Sequence, residues 1–276
     1  MRFLGAGRAA GPRRALALAA TLTLLLGGGT GSPAAAEAVV SSGVVVQLGA
    51  AEYALVSASS YALATSRLPD GRRVVLRWNP CQVITYTVNV TAVPAARRTA
   101  LATEIRTAVG RLGEATRVVY SYRGMTSSVP RSTNVTRQGA ELVVAVTTAS
   151  ATDFDIGDGV LGYGGYRYWQ WTTTSSSGRR TSGAAIARGW VVLDVTGLMR
   201  LTPGFGPGNT RGNVMLHELA HTAGLNHVSD ARQLLYPTLS ASAPNGYASG
   251  DRAGLGKVGL TAGCITVPSN VVTDLR

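Results

Sequence analysis

Apolar positions along this chain recur at two periods, and the switch between them lays out its elements. Val83 to Val90 carries β-branched and aromatic residues at strand density. Pro94 then suits a first helical turn. Leu101, Ile105, Ala108 and Leu112 recur at helical spacing, which predicts a helix ending at Gly113. Arg117 to Tyr122 and Leu142 to Thr147 read as further strands. Gly162 to Trp169 is an aromatic strand broken by glycines, a pattern suited to a sheet edge. Trp190 to Val195 reads as one more strand. A helix over Gly212 to Ala223 follows, and a last one begins near Asp251, weakened by Gly254 and Gly256. Strand, helix, several strands and then helix predict an α/β (α+β) fold. Its mixed, twisted sheet would have about five strands, with helices on one face and a small C-terminal lower lobe. A substrate cleft is expected between the lobes.

Ahead of this pattern, residues 37–77 are rich in Ala, Ser and Val, with a turn at Pro69-Asp70-Gly71. They read either as a short pro-segment or as an N-terminal hairpin, which leaves 78–276 as the main domain. Residues 1–36 read as an export signal. Arg2, Arg8, Arg13 and Arg14 are followed by an apolar run from Ala15 to Leu26 and by an A-x-A site ending at Ala36. No later segment is apolar enough to anchor the chain, so a secreted monomer without a membrane span is expected.

Charge sharpens the picture slightly. The formal net charge is +12, and loss of the four arginines in 1–36 brings it to +8. A basic exported protein is drawn to anionic surfaces such as cell-wall polymers. Its arginines are scattered, with no compact basic run and no interleaved aromatics, which argues against specific nucleic-acid recognition. The two cysteines, Cys81 and Cys264, are expected to form a disulfide in an oxidising compartment. The other reading makes Cys81 a fourth metal ligand in a latent precursor.

The chemistry concentrates in one place. All three histidines of the chain fall within His217-Glu218-Leu219-Ala220-His221-Thr222-Ala223-Gly224-Leu225-Asn226-His227. This is H-E-x-x-H-x-x-G-x-x-H, a string expected by chance in on the order of one chain in 10⁵ of this length. His217 and His221 lie four apart and share a helix face. Gly224 can take positive φ and end the helix, so that His227 approaches from another side. Three neutral nitrogens suit a catalytic zinc, which keeps a fourth position for water, and Glu218 is free to act as general base.

These residues resemble the metzincin clan of zinc endopeptidases, and within it the matrixin-type proteases and secreted matrixin-like proteins of actinobacteria. The resemblance runs from about Trp78 to Cys264. It rests on Trp78-Asn79-Pro80-Cys81, Val191-Val192-Leu193-Asp194, the histidine string and Gln233-Leu234-Leu235-Tyr236-Pro237. A further match is Gly250-Asp251-Arg252-Ala253-Gly254-Leu255, similar to the start of the family's final helix. Two positions depart from the pattern. Leu235 stands where the family's Met-turn has methionine, and Val228 where matrixins usually have a small hydroxyl residue. Leucine keeps the apolar bulk of the turn. The resemblance implies a zinc endopeptidase with Glu218 as general base, and with Tyr236 and Pro237 walling the pocket after the scissile bond. An extended peptide would add to the Gly162 to Tyr166 edge, approaching closely at Gly164 and Gly165. Other readings are a non-catalytic wall-binding protein that keeps the metzincin shell, and a zinc peptidase acting on peptidoglycan peptides. Asp153, Asp155 and Asp158 offer a second, calcium-type ligand set, although their spacing does not fit an EF-hand. Asp194 is a candidate turn cap. Asp230 is either a turn residue or an acceptor orienting a ligand.

Overall fold

The computed structural model describes residues 47–48 and 60–268. The segment expected to be an export signal, 1–36, lies outside them. In chain order the elements are β1 (Gln47–Leu48), β2 (Ala62–Leu63), β3 (Thr65–Arg67), β4 (Arg73–Val75), β5 (Ile84–Asn89), α1 (Ala95–Thr116), β6 (Tyr120–Met125), β7 (Leu142–Thr147), β8 (Gly162–Thr174), β9 (Arg180–Asp194), α2 (Val195–Leu198), α3 (Arg211–Thr222), β10 (Leu225–Asn226) and α4 (Ser249–Val258). The main sheet runs β1-β8-β9-β7-β5-β6. Strands β6, β5, β7 and β9 are parallel neighbours, whereas β8 is antiparallel to β9 and to β1. Helix α1 makes the crossover that two parallel neighbours, β5 and β6, require.

Alternation along β9 divides the interior. Val191 and Leu193 belong to the large core with Leu101 and Ile105 of α1 and Met215 and Leu219 of α3. Trp190 and Val192 point the other way, into a smaller core with Val135, Phe154, Ile156 and Tyr163. Both long helices therefore share one face, and the loops before β8 cover the other. No helix among the described residues is long and apolar enough to cross a membrane.

Four elements differ from the sequence expectation, each for a packing reason. Helix α1 runs through Gly113 to Thr116, because Leu112 and Thr116 are both buried and Thr116 Oγ1 donates to the Leu112 carbonyl at 2.8 Å. Arg117, at φ 58°, makes the left-handed stop instead. Strand β6 accordingly starts at Tyr120.

Strands β8 and β9 extend well beyond the predicted segments, to 13 and 15 residues. Beyond Gly189, where β9 leaves β7, they form a two-stranded arm. One side of the arm is gripped by β3–β4: Gln170 Nε2 donates to the Arg67 carbonyl at 2.7 Å and Arg72 Nη2 to the Ser182 carbonyl at 3.1 Å. On the other side Trp169, Trp171, Ala185 and Ala187 are covered by Ile265 and Val267.

Within 37–77, residues 60–77 take the hairpin form. Strand β3 pairs with β4, β2 pairs with β10, and Leu68 and Leu76 are buried in the main core. Cys81 and Cys264 are bonded, with Cα atoms 5.4 Å apart, so Cys81 is not a metal ligand. Asn79 reinforces the closure, with Nδ2 donating to the Ile265 carbonyl and Oδ1 accepting its N–H. The bond closes a loop with a sequence separation of 183. Replacing both cysteines by serine is expected to cost on the order of 5 kcal/mol on the chain-entropy model. Thermal unfolding of the double variant beside the parent checks this.

Candidate metal centre

Helix α3 is buried on every side. Its N-terminus is fixed by Thr210, whose Oγ1 accepts the Asn213 N–H, and by Asn213 itself. The Asn213 Nδ2 donates to the carbonyls of Gly206, Gly208 and Pro244, and its Oδ1 accepts from the Gly246 N–H. A polar side chain at 0% exposure is thereby fully partnered. The helix lies against β8 at unusually close range. A Cβ on Gly164 would sit 2.1 Å from the Glu218 carbonyl oxygen, and one on Gly162 would sit 2.8 Å from Glu218 Cγ. Gly165 is pressed from the opposite face by Trp190, at 2.7 Å. Gly164 and Gly165, expected to admit a substrate backbone, thus already have packing roles within the chain.

The helix ends where the sequence expects. Gly224 has φ 101°, and a Cβ there would lie 2.1 Å from the Leu76 carbonyl oxygen. Its own carbonyl accepts the Ala64 N–H at 2.8 Å. Strand β10 then pairs with β2, Leu225 opposite Leu63, and delivers His227. Gly224→Ala combines a left-handed strain with a backbone clash, and is expected to cost about 3 kcal/mol or more. Denaturant titration, with zinc affinity measured on the same variant, tests that figure.

The three imidazoles converge. His217 Nε2 is 3.1 Å from His227 Nε2 and 3.1 Å from His221 Nε2, and His221 Nε2 is 3.2 Å from His227 Nε2. A tetrahedral ion with Zn–N bonds of 2.0–2.1 Å needs its nitrogens ~3.3 Å apart. Two of the rings have their tautomer set by a backbone carbonyl. His217 Nδ1 donates to Leu234 O at 2.7 Å, and His221 Nδ1 donates to Leu225 O at 2.8 Å. Burial, reinforced by the neighbouring imidazoles, holds His217 well below the usual histidine range, and burial pushes His221 down to about 4. Burial also holds His227 well below its ordinary range. Neutral rings with Nδ1–H committed outward leave lone pairs facing one another across about 3 Å, an arrangement that a cation relieves. The donor set therefore fits a zinc-type ion.

Glu218 is wholly buried, and its Oε2 accepts the Gly164 N–H at 2.6 Å. Its Oε1 has no partner among the described residues. Burial raises its pKa well above the carboxylate range, and the Gly164 N–H pulls it part of the way back.

Just after His227, Val228 N–H donates to the Leu235 carbonyl, which closes the turn holding Leu235, and that side chain is buried. Asp251 fastens the turn. Its carboxylate accepts the N–H groups of Leu234 at 2.7 Å, Leu235 at 3.2 Å and Ala248 at 2.8 Å. Burial pushes the Asp251 pKa up, and those three N–H groups oppose the shift. Gln233 Oε1 accepts from Gly250 and Asp251, tying the turn to α4 a second time. Leu234 links Asp251 to His217, since its N–H meets one and its carbonyl meets the other. Sequence reasoning missed this support. The available signal was an acid at the start of an otherwise apolar-faced helix. Tyr236 and Pro237 follow the turn and are half-buried.

The remaining sequence candidates are placed as follows. Asp230 is a turn residue, accepting from the N–H, Nε and Nη2 of Arg232 and from Gln233 Nε2. The acceptors that orient His221 and His217 are the Leu225 and Leu234 carbonyls. Asp194 caps α2 through the Gly197 N–H at 2.7 Å. Asp153 accepts from the Ser132 N–H and hydroxyl. Among the described residues, the histidine trio is the only set of three or more His, Cys, Asp or Glu ligand atoms brought within 4.8 Å of one another. Asp153, Asp155 and Asp158 do not converge in this way. No protein-family model matches this chain, and no curated protein matches it.

Proposed function

We propose that this chain is a secreted zinc-dependent endopeptidase of the metzincin type. The observation that carries the reading is the meeting of three Nε2 atoms at 3.1–3.2 Å beside a buried carboxylate with one unpartnered oxygen. His217, His221 and His227 would hold the ion. When bound, zinc supplies Lewis-acid activation of water and of a peptide carbonyl. Glu218 Oε1 accepts the proton released by the attacking water and returns it to the leaving nitrogen. The Gly164 N–H, bound to Oε2, keeps Oε1 as the working oxygen. An extended peptide would lie along the outer side of Gly162 to Tyr166. There it would add a strand through backbone hydrogen bonds. Tyr236 and Pro237 would bound the pocket for the side chain after the cut.

Incubation with an unfolded protein tests this reading. Cleavage is expected, should stop when zinc is chelated, and should return when zinc is added back in slight excess. Cleavage that persists through chelation would contradict it.

A further inference from the structure

The two hairpins that grip each other carry an excess of one charge. Residues 65–75 and 168–186 include Arg67, Arg72, Arg73, Arg179 and Arg180, all exposed, against a single acid, Asp70. Asp70 is already paired with Arg72 at 2.8 Å. Arg67 stands directly opposite Arg73 in the β3–β4 ladder, so two like charges share one face at neighbouring positions. That arrangement works against the hairpin's stability. Arg180 alternates with Ser182 and so shares the face whose Ser182 carbonyl receives Arg72. The side chains of Arg179 and Arg180 have no partner among the described residues. The same two hairpins also carry exposed hydroxyls, including Thr65 in β3, Thr174, which pairs with Arg180, and Ser175.

We propose that these paired hairpins bind a flexible polyol-phosphate polymer and tether the protein to it. Arginine forks match phosphate oxygens in pairs, and interspersed hydroxyls donate to the same oxygens. A base-bearing polymer fits less well. The arm's own aromatic rings, Trp169 and Trp171, are 9% and 5% exposed under the C-terminal segment and offer no stacking surface. The arm's tip is distant from the metal centre. From Gly162, beside Glu218, to Thr174 is a strand of 13 residues, or ~40 Å at ~3.3 Å per residue. The arm's tip is therefore separate from the histidines, whereas β3–β4 follows directly on β2, which pairs with β10 beside them; this inference does not rest on the enzymatic reading.

The test uses the full chain and immobilised poly(glycerol phosphate), with polygalacturonate and single-stranded DNA as comparison polymers. One variant carries Arg67→Gln, Arg73→Gln, Arg179→Gln and Arg180→Gln. Arg72 is kept because it joins the hairpins. A charge-matched control carries Gln at Arg97, Arg123, Arg137 and Arg252, which are exposed elsewhere. At about fivefold per arginine, the hairpin variant should bind the phosphate polymer more than about a hundredfold more weakly. The control should lose less than about tenfold, and parent affinity should fall linearly with salt on logarithmic axes. Matched unfolding midpoints establish that both variants fold. Equal losses in the two variants would reduce the effect to net charge and overturn the proposal. So would tighter binding of either comparison polymer, or no binding of the phosphate polymer by the parent at about 0.15 M salt.

Discussion

Glu218→Gln is expected to leave one zinc ion per chain and to lower kcat/KM on a peptide by about 10²–10⁴-fold. The substitution separates shape from proton chemistry. Glutamine keeps the volume of a wholly buried side chain, and its carbonyl can still accept the Gly164 N–H. What it loses is the basic oxygen, since an amide does not take a proton from water. The other acids near the centre are committed: Asp251 to three backbone N–H groups, and Asp230 to Arg232 and Gln233. Among the described residues no second carboxylate joins the histidine cluster. Glu218→Ala would be a poorer test, because it also leaves a cavity and strips Gly164 N–H of its buried acceptor. Metal content by elemental analysis and single-peptide kinetics on the same sample check both halves. Activity within a few-fold of the parent would remove Glu218 from the chemistry.

Removing the chain through residue 75 is expected to destroy the metal centre, whereas removal through residue 59 should preserve it. The difference lies in β2, β3 and β4. Strand β2 is the hydrogen-bonding partner of β10, whose Leu225 carbonyl fixes the His221 tautomer and which leads directly into His227. Ala64 N–H caps the Gly224 carbonyl. Loss of the segment also uncovers the core where Leu68 and Ala64 were buried. At about 1.5–3 kcal/mol for a leucine alone, together with a strand's hydrogen bonds, the cost approaches the whole 5–15 kcal/mol stability of a domain. A processed form should accordingly begin no later than Ser60. Circular dichroism and zinc titration of the two truncations read the outcome. A folded, zinc-binding chain that starts at residue 76 would contradict it.

The parts of this architecture visible in the sequence are those governed by local periodicity. Leu142 to Val146 is apolar throughout because β7 is buried on both faces, and the bounds of the strand, Leu142–Thr147, match. The α3 helix was set by ligand spacing, and the Gly224 stop by the need for positive φ. Harder to see was anything whose reason lies far along the chain. The arm of β8 and β9 is written in Thr, Ser, Gly and Arg, and becomes regular only because β3–β4 and the C-terminal segment clamp it. Gly162 and Gly164 look like a strand breaker, yet they are the clearance that lets α3 approach the sheet. Gly113 looks like a helix end, but Thr116 buries and prolongs the helix past it. Asp251 reads as an ordinary first-turn acid, and its role as the anchor of the Leu234–Leu235 turn depends on a contact with residues 16 and 17 positions away.

The most direct measurement is the zinc content of the purified, folded chain beside variants with His217, His221 or His227 replaced by alanine. The account predicts one tightly held ion in the parent and a loss of at least about tenfold in affinity in each variant. A folded parent that takes up no zinc at micromolar concentrations, or variants that bind it as well as the parent does, would contradict it.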